Sequence, residues 1–380
     1  MKRNLSILVL FVFSFSLASA QIGTRKEIKI PNILGYQTLK CDFHMHTVFS
    51  DGDVWPALRI QEAWSEGLDA VALTDHIEYQ PKKDDIPTNH NRPYEIAKPL
   101  ADRLGITLIK GGEITRGMPP GHMNLLFVKD GNALPKDDWK ETVLEGKKQE
   151  ALLFWNHPSW TAQQPDGIAR WYAEHTWVVE QGMMMGIEIV NGPDYSPEAH
   201  NWCLKNKFTL LGNSDIHSPI MFDYNLQAGE HRTMTLVFAN ENTSEAVRDA
   251  LMKGRTAVYT GKNLYGDEKY LKPIFEKAVL FKNNNVKATG KATCYLQVMN
   301  DSDLPYSLVL KTKNDKVIFP QNITLPANRT VQFPVKASSD EISLDENVKV
   351  EYEVVNLIKE PGKGIMVQFD FDVAIIPKKK

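Results

Sequence analysis

From Lys40 to about Gly261, short apolar runs alternate with stretches of helical spacing. "TLKCDFH" is followed by "PALRIQEAWSEGL", with Pro56 near its start and Gly67 at its end, the boundary residues a helix favours. "DAVALTDH", "ITLIKGGE", "MNLLFVKD", "ALLFWNHP", "MGIEIVNG", "FTLLGNSDIH" and "MTLVFAN" come next. "TSEAVRDALMKGRTAVY" reads as a last helix, capped by Thr243 or Ser244, leading into one more strand. Buried-looking strands separated by helical segments predict an α/β fold with a mainly parallel sheet.

The pattern changes after about residue 270, and no histidine follows His231. Apolar residues now alternate: Cys294, Leu296 and Val298; Val331, Phe333 and Val335; Val348, Val350, Tyr352 and Val354; Ile365, Val367, Phe369, Phe371 and Val373. Turn-rich pieces such as "MNDSDLP" and "LPANRT" separate them. Period-two strands at this spacing predict a small antiparallel β-sandwich. The chain therefore divides into residues 1–20, an N-terminal segment 21–37, an α/β domain 38–268 and a β domain 269–380.

Composition adds location and excludes one partner class. "MKRN" is basic, "LSILVLFVFSFSL" is apolar, and "ASA" precedes Gln21. That order reads as a cleavable secretory signal peptide, predicting a periplasmic or secreted bacterial protein. The apolar run is too short for stable membrane insertion. A net charge of -3 with both signs mixed lacks the basic face of a nucleic-acid binder. Cys41, Cys203 and Cys294 form no CxxC pair, and whether any two of them join is left open. The sequence does not set the oligomeric state.

The chemistry gathers at strand ends. "DFHMH" ends in His44 and His46, "ALTDH" in Asp75 and His76, and "IKGGE" in Glu113. "FWNHP" carries His157, and "LLGNSDIH" carries Asp215 and His217. In barrels and open α/β sheets the carboxyl ends of the strands lie on one face, where active sites sit. Residues i and i+2 of an extended chain point the same way, so His44 and His46 can reach one ion, as can Asp215 and His217. Five of the ten histidines fall at such ends, which points to a metal site. His122, in "PPGHMNLL", precedes a strand rather than ending one.

The ordered set "FHMHTVFSDG", "ALTDHIE", "GGEIT…GHMNLL", "WNHP" and "NSDIH" resembles the polymerase and histidinol phosphatase (PHP) family of metal-dependent phosphoesterases over roughly residues 38–262. The β-rich tail and the signal peptide are similar to an exported, phosphodiesterase-like branch. The resemblance implies a distorted (β/α)7 barrel and two to three divalent ions. It implies that His44, His46, Glu113 and Asp215 hold one ion. Glu113, bridging, would hold a second with His122 and His157. Asp51, His76 and His217 would hold a third; Asp51 stands where some members have histidine. Glu113, Asp215 and His217 are then the catalytic positions, acting on a small phosphate mono- or diester through a metal-activated hydroxide.

The donors are imidazoles and carboxylates with no thiolate, which suits Zn, Mn or Fe without choosing among them. Adjacent divalent ions acidify a water and hold the phosphoryl oxygens. Asp75 reads either as an acceptor orienting His76 or as a cap for the next segment. Arg92 and Arg116 lie near motif loops and offer the bidentate fork that fits phosphate; His90 and Asn91 share a loop with Arg92. Two other readings remain at this stage. One is a metal-dependent hydrolase acting on a non-phosphate bond, although no lysine ends a strand. The other is a non-catalytic binding protein stabilised by its ions.

Overall fold

The computed structural model describes residues 23–379. The segment read as a signal peptide lies outside the described residues. The α/β part is built on β1 (Gln37–Asp42), β2 (Ala70–Leu73), β3 (Thr107–Ile114), β4 (Met123–Leu126), β5 (Leu152–Trp155), β6 (Met184–Asn191), β7 (Asp194–Tyr195), β8 (Thr209–Asn213), β9 (Met234–Ala239), β10 (Thr256–Thr260) and β11 (Asn263–Gly266). Around them lie α1 (Pro56–Ser65), α2 (Arg92–Leu104), α3 (Trp139–Lys148), α4 (Ala173–Glu180), α5 (Pro197–Asn206), α6 (Ile220–Asp223) and α7 (Ser244–Met252). Strands β2, β4, β5 and β8 are buried at every position. Cover on both faces is why they read as unbroken apolar runs.

The local sequence sets the helix ends. The α1 helix begins on Pro56, and α2 stops where Gly105 turns left-handed. The Ser196 hydroxyl accepts from Ala199 N to cap α5, and Thr243 does the same for α7 through Ala246 N. Each cap satisfies an amide that a helix start leaves unpaired.

The barrel is not uniformly parallel. Strands β1, β2 and β3 run parallel, as do β5, β6 and β8. Strand β4 is antiparallel to both β3 and β5, and β9 is antiparallel to β1 and β10. Between β8 and β9–β10, side chains close the seam. The Thr235 hydroxyl meets Gly212 N at 3.0 Å and Gly212 O at 2.8 Å, and Thr256 donates to Leu210 O at 2.7 Å. A Cβ on Gly212 would lie 2.1 Å from Val258 Cγ1, so glycine is required for this approach. The result is a distorted (β/α)7 barrel, as the resemblance implied.

Helix α8 (Glu268–Ala278) leads into the β domain. One sheet there contains β12 (Val279–Phe281), β14 (Cys294–Asn300), β16 (Val317–Ile318) and β18 (Arg329–Ala337). The facing layer contains β13 (Asn285–Thr289), β15 (Tyr306–Leu310), β17 (Asn322–Leu325), β19 (Leu344–Glu360) and β20 (Lys363–Ile376). Phe333, Tyr352 and Phe371 fill the space between, with Phe333 and Phe371 ring centres 5.6 Å apart. The sandwich is joined to the barrel. Strand β11 pairs in parallel with β19 at Leu264–Leu357 and Tyr265–Ile358, so one sheet runs from barrel into β domain. Among the described residues, no helix is long and apolar enough to cross a membrane.

Candidate metal centre

Backbone pairing beyond the strand ends brings the donors together. The chain after β1 pairs with the chain after β8: His46 N donates to Ile216 O at 3.0 Å and Asp215 N to His44 O at 2.9 Å. That places His44 and His46 opposite Asp215 and His217. The chain after β2 pairs with β3, with Ile77 N donating to Glu113 O and Glu113 N to Asp75 O, which sets His76 beside Glu113. His157 follows β5. His122 belongs to the same rim because β4 runs antiparallel, so its entrance lies where its neighbours exit.

All nine residues of the family pattern meet there. Glu113 is central: Oε1 lies 3.3 Å from His44 Nε2, 3.1 Å from His122 Nδ1 and 3.6 Å from His157 Nε2. Its Oε2 lies 3.4 Å from His46 Nε2 and 2.7 Å from His76 Nδ1. Asp215 Oδ1 is 3.1 Å from His44 Nε2 and 3.0 Å from His46 Nε2. Asp51 Oδ1 is 3.4 Å from His76 Nε2 and 3.2 Å from His217 Nε2.

Apart from the His122 Nδ1–Glu113 Oε1 hydrogen bond, proximity among these atoms leaves five of them unsatisfied. His44 Nε2, His46 Nε2, Asp51 Oδ1, Glu113 Oε2 and Asp215 Oδ1 are buried and have no hydrogen-bond partner. An orphaned buried polar atom costs about 1–3 kcal/mol, and five gathered on one rim need partners that the protein does not supply. Lone pairs turned toward one another suit a cation. Four sets of three or four donors have ligand atoms within 4.8 Å of one another: His46, Asp51, His76 and His217; His44, His157 and Asp215; His44, His46 and Glu113; His76, Glu113 and His122. These residues fit divalent metal ions.

The electrostatics agree. Burial disfavours the charged form of Glu113, but His76, His44 and His122 outweigh it and hold its carboxyl well below the usual range. Asp51 and Asp215 are likewise pushed down, against burial, by their histidine neighbours. His76 rises to about 10, because Glu113 and Asp51 overcome its burial. Burial together with His217 and His76 drives His46 down to about 3. The carboxylates thus draw protons onto some imidazoles, and metal ligation must displace those protons.

A further layer fixes the donors. Glu188 Oε1 accepts from His44 Nδ1 at 3.0 Å and Asn213 Nδ2 at 2.8 Å. Its Oε2 accepts from His157 N at 2.9 Å. Asn156 Nδ2 donates to Glu113 Oε1 at 2.7 Å. The wholly buried Arg59 donates to the carbonyls of His46, Ile216, His217 and Ser218, tying both ligand loops together. His157 and Asp215 sit at φ of 27° and 54°, left-handed backbone that concentrates at functional sites.

In a comparison with solved structures, the chain matches a two-domain protein from Bacteroides vulgatus ATCC 8482 that contains a predicted PHP-like metal-dependent phosphoesterase. Identity is 44%, the TM-score is 0.86, and the match covers 91% of this chain and 98% of that one. This chain belongs to the PHP-like family. Residues 279–370 also match the family model DUF5001, described as an Ig-like domain, in keeping with the β-sandwich. An uncharacterized protein of Methanocaldococcus jannaschii is 37% identical over 82 residues, 22% of this chain. The chain spans about a third of that relative's length, 36%.

Several PHP-like motif neighbours take other roles. Asp75 turns away from His76 and accepts from Thr47 N at 2.7 Å and Ser50 Oγ at 2.7 Å; it builds the turn that carries Asp51. His76 instead meets the Thr115 hydroxyl at 2.7 Å. Arg92 pairs with Glu95 on the exposed first turn of α2 and is bonded to none of the donors. Arg116 is held through Nη2 by Glu78 at 3.1 Å and Lys136 O at 2.9 Å and is bonded to none of the donors. Asn91 accepts from Gly131 N, and His90 meets Gln80; both organise their loop. Glu188, Arg59 and Asn156 went unnoticed in the sequence. For Glu188 the signal was there: a lone carboxylate inside the apolar run "MGIEIV".

Proposed function

We propose that this chain is an exported metal-dependent phosphoesterase that hydrolyses small phosphate mono- or diesters. The observation that carries the reading is the gathering of five partnerless buried donor atoms from three separate segments on one rim of the barrel. Bound there, two or three divalent ions, such as Zn, Mn or Fe, would supply an acidified water and positive charge for the phosphoryl oxygens.

The chain's own residues divide the remaining work. Glu113 presents its two oxygens to different histidine sets, which suits it to bridge. His44, His46 and Asp215 complete one donor set, His122 and His157 a second, and Asp51, His76 and His217 a third. His217 has a side chain 36% exposed, the most open of the nine, with Nδ1 held by Asp215 O at 2.8 Å. Asp51, 27% exposed, is the next most open. Glu188 keeps His44 Nε2 turned inward, as acceptors behind ligating imidazoles do.

The test is turnover of bis(p-nitrophenyl) phosphate and of p-nitrophenyl phosphate, with and without chelator. Chelation should abolish hydrolysis, and added divalent metal should restore it. Absence of metal-dependent turnover of either ester would favour hydrolysis of another bond, or a binding protein. The basic and apolar first twenty residues support export; a mature chain starting at Gln21 in the periplasm or medium is the expected product.

A further inference from the structure

A cleft of about 1010 Å³ opens beside the metal centre. Asp215 and Trp160 stand at its inner end, and Asp303 and Pro305 of the β domain stand in its outer wall. Trp160 also packs against His122 and His157, with ring centres 5.7 and 5.1 Å away. The cleft is thus continuous with the donors and is shared between the two domains. The β11–β19 pairing that fuses barrel and sandwich holds this outer wall in place.

The walls are charged unevenly. Asp194, Asp223, Glu230 and Asp303 all line the cleft, against one ammonium, Lys262. Among the described residues none of these five side chains is in an ion pair, and Asp194 and Asp223 are exposed and make no side-chain hydrogen bond. Their charge is therefore uncompensated, apart from whatever occupies the cleft. Phe222, Tyr224 and Tyr259 add aromatic surface, and the Phe222 side chain is left 75% exposed. Carboxylates combined with aromatic faces are the surroundings that bind organic cations. A second phosphate would meet four like charges against one ammonium.

We infer that this cleft receives the alcohol portion of the substrate, and that this portion is a cationic amino alcohol rather than an anionic or nucleotide group. The inference rests on the phosphoesterase reading and names its substrate class. It also gives the β domain a role as one wall of the substrate cleft.

Calorimetric binding to the full, metal-loaded chain tests it without needing turnover. Phosphocholine, glucose phosphate and a nucleoside 3′,5′-bisphosphate are compared on the wild type and on the double variant Asp194→Asn/Asp223→Asn. Phosphocholine should bind about tenfold more tightly than the bisphosphate. Its advantage over glucose phosphate should shrink about fivefold in the variant, as expected for two partly exposed ion pairs. Equal affinities, a preference for the bisphosphate, no binding of phosphocholine, or an unchanged ratio in the variant would each overturn the assignment. Hydrolysis of bis(p-nitrophenyl) phosphate reports separately on the esterase reading. Turnover without this selectivity fails only the cleft assignment, whereas selective binding without turnover fails only the esterase reading.

Discussion

Glu188 Oε1 lies 3.0 Å from His44 Nδ1, and this contact aims His44 Nε2 at Glu113 and Asp215. Every group facing the Glu188 carboxylate is a donor: His44 Nδ1, Asn213 Nδ2, His157 N and Asn191 Nδ2. Glu188→Gln therefore turns an amide NH2 against at least one of them. Metal affinity should fall about 10- to 100-fold, the usual cost of losing a partner behind a ligand. Competition with a calibrated chelator measures this. An unchanged affinity would mean that His44 is held in place by something else.

Asp51 depends on a glycine. A Cβ at position 52 would lie 2.6 Å from the His46 carbonyl carbon and 2.7 Å from Thr47 N, so the backbone must give way. Gly52→Ala should separate Asp51 from His76 and His217. We expect activity to fall roughly 10- to 100-fold, the cost of misplacing reacting groups by about 1 Å, and Tm to fall as well, because buried backbone must shift. Wild-type kinetics at saturating metal would contradict this.

Behind the ligand segments lies a buried charge group. Arg232, fully buried, donates to Asp42 Oδ2 at 2.9 Å and to Glu66, and Asp42 in turn accepts from Ser214. Arg232→Met strands two carboxylates in the interior. Breaking a buried pair from one side costs about 3–5 kcal/mol, so the variant should lose that much stability by urea denaturation. A loss below about 1 kcal/mol would show that water reaches these groups.

The His175 ring stacks on Trp155 at 3.7 Å and donates through Nε2 to Pro120 O, two residues before His122. Burial lowers its pKa from 6.5 to about 4. The unfolded chain thus takes up this proton at higher pH than the folded one. The stability linked to His175 is complete above pH 6.5 and is lost as pH falls toward 4. In metal-free protein, Tm should drop across that window, and more shallowly in His175→Gln. Parallel curves would exclude the linkage.

Much of this site was legible because its donors sit at strand ends, where a parallel strand must deliver them to one face. His122 defied that rule in the sequence, since it precedes its strand. The antiparallel direction of β4 resolves it, and a four-residue apolar run carries no sign of direction. Glu188 and Arg59 were missed for a different reason. Their partners are distant in sequence, 144 residues away for the Glu188–His44 contact and up to 159 for Arg59. The strand joint between β11 and β19 was equally unreadable, because pairing between domains leaves no periodic trace.

Metal analysis of the purified chain beside Glu113→Gln tests the central claim most directly. We predict roughly two to three divalent ions per wild-type chain, as multi-metal phosphoryl chemistry requires. The variant should lose the ions that Glu113 would help to hold and keep at most about one, at the Asp51, His76 and His217 set, while its β domain stays folded. A wild type that binds no divalent ion after metal supplementation, or a variant that keeps the full complement, would contradict the account.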